Sequence, residues 1–95
     1  MAYSYVEDSR EELGTIEKGS NTVLINKIKS GERESIDIRE YYTDEAGELK
    51  PSKKGIRLST EVAADLIVYV AKALEVDELS DVIEKLVIMA NDGEE

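Results

Sequence analysis

The sequence predicts an α+β fold: four strands in an antiparallel sheet, then a long apolar helix and a second C-terminal helix. Three observations point there. Residues 13–58 are rich in β-branched side chains and are broken by polar, Gly-containing turns. Residues 60–90 lose that alternation and take up helical apolar spacing. The charge divides at the same place. Residues 15–57 carry nine basic and eight acidic side chains, whereas residues 58–95 carry two basic and ten acidic ones.

Residues 1–11 are polar and read as a flexible N-terminal arm, with Tyr3 and Tyr5 as its aromatic residues. Residues 13–18 are the first strand candidate, followed by a turn at Gly19, Ser20 and Asn21. Residues 22–29, TVLINKIK, form a stronger strand, in which Ile28 points one way and Lys27 and Lys29 the other. Ser30, Gly31 and Glu32 make a hairpin turn into a third strand over 33–42. Ile36 and Ile38 share a face there, and Asp37, Arg39 and Tyr41 take the opposite one. Tyr42 falls with the isoleucines unless a bulge or strong twist re-aims it. Residues 43–48 are a turn built on Asp44 and Gly47. Residues 53–58 are the fourth strand, with Ile56 and Leu58 facing in and Lys53, Gly55 and Arg57 facing out. Four consecutive strands with short turns are most simply a meander.

Ser59 is placed to cap a helix over residues 60–74, TEVAADLIVYVAKAL, and Glu61 complements the dipole in its first turn. Only Asp65, Tyr69 and Lys72 interrupt its apolar character, so it needs cover on more than one side. A second copy of the same helix supplies that cover and predicts a homodimer, with Leu66, Ile67, Val70 and Leu74 at the interface. Residues 75–78 read as an acidic break. A second helix follows from residue 79 or 80 to residue 90, with Leu79, Val82, Ile83, Leu86, Val87 and Ala90 along one face. The organisation is thus one domain over 12–91, with a core at 12–74, a helical extension at 75–91 and an acidic tail at 92–95.

The composition narrows the function. With no Cys and no His, the chain has no disulfide, no thiolate metal site and none of the commonest catalytic base. The N-terminal residues lack a basic region followed by an apolar one, so no signal peptide is expected, and no apolar run approaches a membrane span. Carboxylates are plentiful, but none is paired beside a nucleophile or a Gly-rich phosphate loop. No enzyme, cofactor or metal site is therefore expected. The net charge of −10 argues against nucleic acid as a partner, but its distribution reverses that argument. Lys50, Lys53, Lys54 and Arg57 crowd around the single proline, Pro51, beside Tyr41 and Tyr42. Cations that follow phosphates and rings that stack on unpaired bases are what single-strand binding needs. Ordinary sheet packing is the alternative for the two tyrosines, and Tyr41 is assigned to the core. A solvated edge strand is the alternative for the lysines. Cross-strand pairing with Lys or Arg is preferred for Asp37 and Glu40.

Residues 36–59, IDIREYYTDEAGELKPSKKGIRLS, resemble the signature of the positive cofactor four family of transcriptional coactivators. The matching outline is I-D-I-R-E-Y-aromatic, an acidic D-x-x-G-E turn, then K-P-x-[RK]-K-G-I-x-L and a helix. The order of elements extends the likeness over about residues 12–74. The resemblance implies a curved sheet and a homodimer paired through its helices. It also implies sequence-tolerant binding of single-stranded DNA or melted duplex, in transcription, replication or repair. It assigns DNA contacts to Arg39, Tyr42, Pro51, Lys53, Lys54 and Gly55. Two departures stand out. Ser30, Gly31, Glu32 and Arg33 occupy a hairpin where the family often has an aromatic and lysines, so Lys27, Lys29 and Arg33 are assigned the basic contacts there. Arg57 replaces a small polar residue and adds a cation. The absence of a Ser-rich arm is more similar to compact bacterial, archaeal or phage relatives. The location implied is the nucleoid-associated cytoplasm in that case and the nucleus in a eukaryote. RNA on the same sheet surface and a protein partner on the acidic C-terminal helix, such as a transcription or replication protein, are the alternative readings.

Overall fold

A computed structural model describes residues 9–92. Residues 9–63 form one compact unit and residues 64–92 contribute a second. The first unit holds strands β1 (Ser9–Lys18), β2 (Asn21–Ser30), β3 (Arg33–Thr43) and β4 (Leu49–Ser59). They lie in the order β1-β2-β3-β4, every neighbouring pair antiparallel, as the meander reading expects. Helix α1 (Thr60–Ala71) begins in this unit, and α2 (Val76–Asp92) lies in the second.

The turns account for the meander. The first two hairpins have two-residue loops, Gly19 with Ser20 and Gly31 with Glu32, and each puts a Gly with φ near +60° in the first loop position. That is the II′ arrangement, whose twist matches the flanking strands. The third loop is held by the Asp44 carboxylate, which accepts the amides of Ala46 and Glu48 at 2.9 Å each. Thus the turn residues named from the sequence are the ones that close the loops.

Strand β1 starts at Ser9, inside the segment expected to be an arm. Its polar start carries no strand pattern of its own, and pairing of Ser9 to Glu12 with Lys29 to Asn26 draws it into the ladder. Tyr3 and Tyr5 lie outside the described residues.

Cross-strand partners share a face, so the register defines two faces. Ile25, Ile38 and Ile56 align across three strands on one face, next to the row Lys27, Ile36 and Leu58. Asn26, Asp37 and Arg57 align on the other, next to Leu24, Arg39 and Gly55. The alternation is as expected, and Lys53, Gly55 and Arg57 are exposed as assigned, with Leu58 partly buried; Ile56, assigned inward, is the exception. Among the described residues, the buried ones are Leu24, Asn26, Ile28 and Asp37, all on the second face, while Ile56 on the first is 49% exposed.

Helix α1 opens as expected: the Ser59 hydroxyl accepts the Val62 amide at 3.2 Å. It ends three residues earlier than expected. The amides of Lys72, Ala73 and Leu74 bond three residues back, to Tyr69, Val70 and Ala71, which tightens the chain into a turn. Leu74, assigned to a helical interface, therefore sits in that turn. The acidic stretch at 75–78 is not a break but the start of α2. The Glu78 carboxylate accepts the Glu75 amide at 3.0 Å, and Asp77 and Glu78 lie in the first turn, where carboxylates suit the dipole. Neither helix has a fully buried side chain.

Candidate nucleic-acid interface

The second face carries a cleft of about 650 Å³, built on β3 and β4 and also lined by Arg10 of β1. Its floor is Asp37, 1% exposed. A carboxylate so deeply buried must be paired. Arg39 lies two residues on, hence on the same face, and donates from Nε to Oδ2 and from Nη2 to Oδ1, both at 3.2 Å. Arg57, directly opposite on β4, donates from Nε to Oδ1 at 3.3 Å. The expected cross-strand pairing of Asp37 is thus present, with a second arginine added.

Arg39 also donates from Nη1 to the Ser52 carbonyl at 3.0 Å. This reaches an irregular part of β4. The register shifts between Arg39 paired with Gly55 and Tyr41 paired with Pro51, leaving Glu40 alone opposite residues 52–54. Ser52 closes that excursion: its hydroxyl donates to the Glu40 carbonyl at 2.7 Å and accepts the Lys54 amide at 3.1 Å. Gly55 is what lets β4 return to β3. A Cβ there would lie 2.7 Å from the Ile38 carbonyl oxygen and 2.9 Å from Cα and Cβ of Arg39. Tyr41 and Tyr42, successive residues, both border the cleft beside this irregularity.

Arg10, Arg39, Lys53 and Arg57 set four cations against the single carboxylate of Asp37 around this cleft. Lys53 makes no ion pair with any of the described residues and is exposed. Pro51, opposite Tyr41, suits an edge strand because it needs no ladder hydrogen on its nitrogen.

The residues assigned from the sequence are divided by the structure. Arg39, Tyr42, Pro51, Lys53 and Arg57 meet in this cleft. Lys54 and Gly55 border a hollow with Glu40 and Ile56. Arg33 lines another, beside Arg57 and the start of α1. Lys27 and Lys29 pair across the ladder with Ile36 and Glu34, which places them on the isoleucine face, and Lys27 meets Glu34 at 3.4 Å. Four cleft residues were not assigned to the site beforehand: Arg10, Asp37, Tyr41 and Ser52. Asp37 and Tyr41 could have been found by alternation, since both share the face of Arg39. Nothing in the sequence marks Ser52.

The other carboxylate of β3, Glu40, is anchored separately. Asn21 donates to Oε1 at 2.7 Å and Lys18 to Oε2 at 2.9 Å. These two contacts, the amide first, hold the Glu40 carboxyl below its ordinary value. Among the described residues no cluster of acidic side chains is placed to hold a metal ion, and no helix is long and apolar enough to cross a membrane.

In other proteins, cationic grooves with aromatic rings are the combination that binds single strands. The family model for Transcriptional Coactivator p15 (PC4) matches residues 20–68, and the chain belongs to that family. The match runs from the β1–β2 turn through β4 and into α1, so it includes the whole cleft apart from Arg10. The family is one of DNA-binding transcriptional coactivators without enzymatic activity. No solved structure matches the chain.

Proposed function

We propose that the protein is a non-catalytic, sequence-tolerant binder of single-stranded DNA that serves as a transcriptional coactivator, or in replication or repair. The observation that carries this reading is the cleft itself. It joins Tyr41 and Tyr42 to Arg39, Lys53 and Arg57 on one face of an otherwise acidic chain. Bases stack on the tyrosines, and the cations follow the phosphates. Arg33 extends the track at one end, whereas Lys54, beside Glu40 and Ile56, lies with Lys27 and Lys29 toward the opposite face, and these three serve only a strand that wraps the sheet edge.

The functional unit in this reading is a homodimer paired through α1, presenting two clefts. Support comes from Ile67 and Val70, 55% and 52% exposed on a single chain. Residues 12–91 act as one nucleic-acid-binding domain, with α2 as an extension outside the family match. Ile83 and Val87 of α2 are also exposed, beside acidic neighbours. That favours a second reading for the extension, the recruitment of a protein partner. The location follows the process: the nucleus in a eukaryote, the nucleoid in a prokaryote or phage-infected cell.

Titration of oligo-dT, the matching duplex and an RNA of the same length across a salt series tests the proposal. Single-stranded DNA should bind tightest, with affinity falling as salt rises. Equal or tighter duplex binding, or affinity indifferent to salt, refutes it; preference for RNA moves the same surface to an RNA role. Sedimentation should give twice the 10.6 kDa chain mass. A monomer removes the paired clefts.

A further inference from the structure

Arg39 is the arginine that the family signature marks for DNA, yet its guanidinium is largely committed within the protein. Three of its N–H groups bond to Asp37 and to the Ser52 carbonyl, and its charge is matched by a carboxylate 1% exposed. A guanidinium has five such donors, so two remain. Lys53 is placed differently. It lies within the excursion that Arg39 and Ser52 hold closed, it borders the cleft, and it is exposed without an ion pair to the described residues. We propose that Asp37 is a positioning residue for nucleic-acid binding. Through Arg39 it fixes the carbonyl of Ser52 and so the path of residues 52–54, and that path aims Lys53 at the phosphates. Arg39 is the strut in this arrangement, and Lys53 makes the contact. Arg57 braces the second side of the same carboxylate.

This rests on the single-strand reading of the cleft, and it makes a prediction of opposite sign to simple electrostatics. Asp37→Asn removes a negative charge from the floor of a cleft that is to hold phosphates. Charge alone predicts tighter binding. Positioning predicts weaker binding, because an amide cannot match the arginine fork and Arg39 is released from its place.

The experiment measures oligo-dT affinity of the full chain against salt for wild type, Asp37→Asn, Arg39→Lys and Lys53→Gln, with thermal unfolding of each. Asp37→Asn should bind about tenfold more weakly, the scale of one charge-assisted hydrogen bond. Its salt slope should fall by about 0.7, the share of one phosphate contact on a single strand. Lys53→Gln should cost less in the Asp37→Asn background than in wild type. Arg39→Lys keeps the charge but loses the fork, and should show the same loss. It carries the test if Asp37→Asn does not fold. Wild-type preference for single strands together with Asp37→Asn, or Arg39→Lys, binding as tightly as wild type overturns the positioning role and leaves the binding site standing. A wild type with no such preference fails at the earlier step and overturns the reading of the cleft.

Discussion

The two faces of this sheet are made by the same strands in the same register, and they are built on different principles. One aligns Ile25, Ile38 and Ile56, a row that hydrophobicity alone would put inside. The other aligns Asn26, Asp37 and Arg57, yet it holds the buried residues of the unit. A carboxylate flanked by two arginines gives that face a rigid polar centre, whereas the isoleucine face has side chains left half exposed. The difference teaches that alternation separates faces without saying which is covered. The arginines of the second face are held by Asp37 within the chain itself.

The largest effect should come from neighbouring substitutions, one on each face. Gly55→Val puts branched carbon where β4 meets the backbone of Ile38 and Arg39 at 2.7–2.9 Å. We expect a loss of roughly 3 kcal/mol, the upper end for overpacking. A kcal/mol lowers Tm by about 4–8 °C in a domain of this size. Ile56→Val, next in sequence but half exposed on the other face, should cost under about 1 kcal/mol. Urea unfolding of both variants checks the contrast. Comparable costs would show that the polar face is no more tightly built than the apolar one.

Tyr42→Ala comes next. It is 44% exposed and borders the cleft, so its loss should leave stability nearly unchanged. Oligo-dT affinity should fall by about 1–3 kcal/mol, the value of one base stack. Tyr41→Ala, half-buried, should lose both affinity and stability. If Tyr42→Ala retains full affinity, the ring is ordinary packing and stacking belongs elsewhere.

The lysines give a finer comparison. Lys53 borders the cleft and Lys27 lies on the isoleucine face beside Glu34. Lys53→Gln should flatten the plot of log affinity against log salt by about 0.7, and Lys27→Gln should leave it unchanged. A reversal would place the track on the isoleucine face.

Much of this was legible in the sequence, for identifiable reasons. The β-branched runs of β2 and β3, the hairpin glycines and the Ser59 cap act locally, and local signals survive folding. The start of β1 was not legible, because Ser9 to Glu12 are strand only through their partners. The break between helices was misplaced because acidic residues suit both a polar linker and a helix first turn. In the site, the cations could be named but not sorted. Counting register through the two-residue loop at Gly31 would have put Lys27 opposite Ile36, away from Arg39. No such count reaches Ser52, whose role exists only because β4 departs from regular pairing.

The smallest expected effect concerns the carboxylate on the far side of β3. Glu40 aligns with Val23, on the isoleucine face, and is held by Asn21 and Lys18 from the β1–β2 turn. Its ionised form is favoured in the folded chain, so its folded pKa lies below its unfolded one. Such a group contributes stability that is fully present above the unfolded pKa and is lost as pH falls through the folded one. Glu40→Gln should therefore lower the unfolding midpoint slightly at neutral pH. The gap to wild type should close as the solution is acidified through and below the ordinary carboxylate range. High salt should narrow the neutral-pH gap only in part, because the Asn21 contact carries no charge. Measured by thermal unfolding from neutral to acid pH, a gap that stays constant would show that Glu40 acts there by shape alone. The cleft face would then be the only face of this sheet organised by charge.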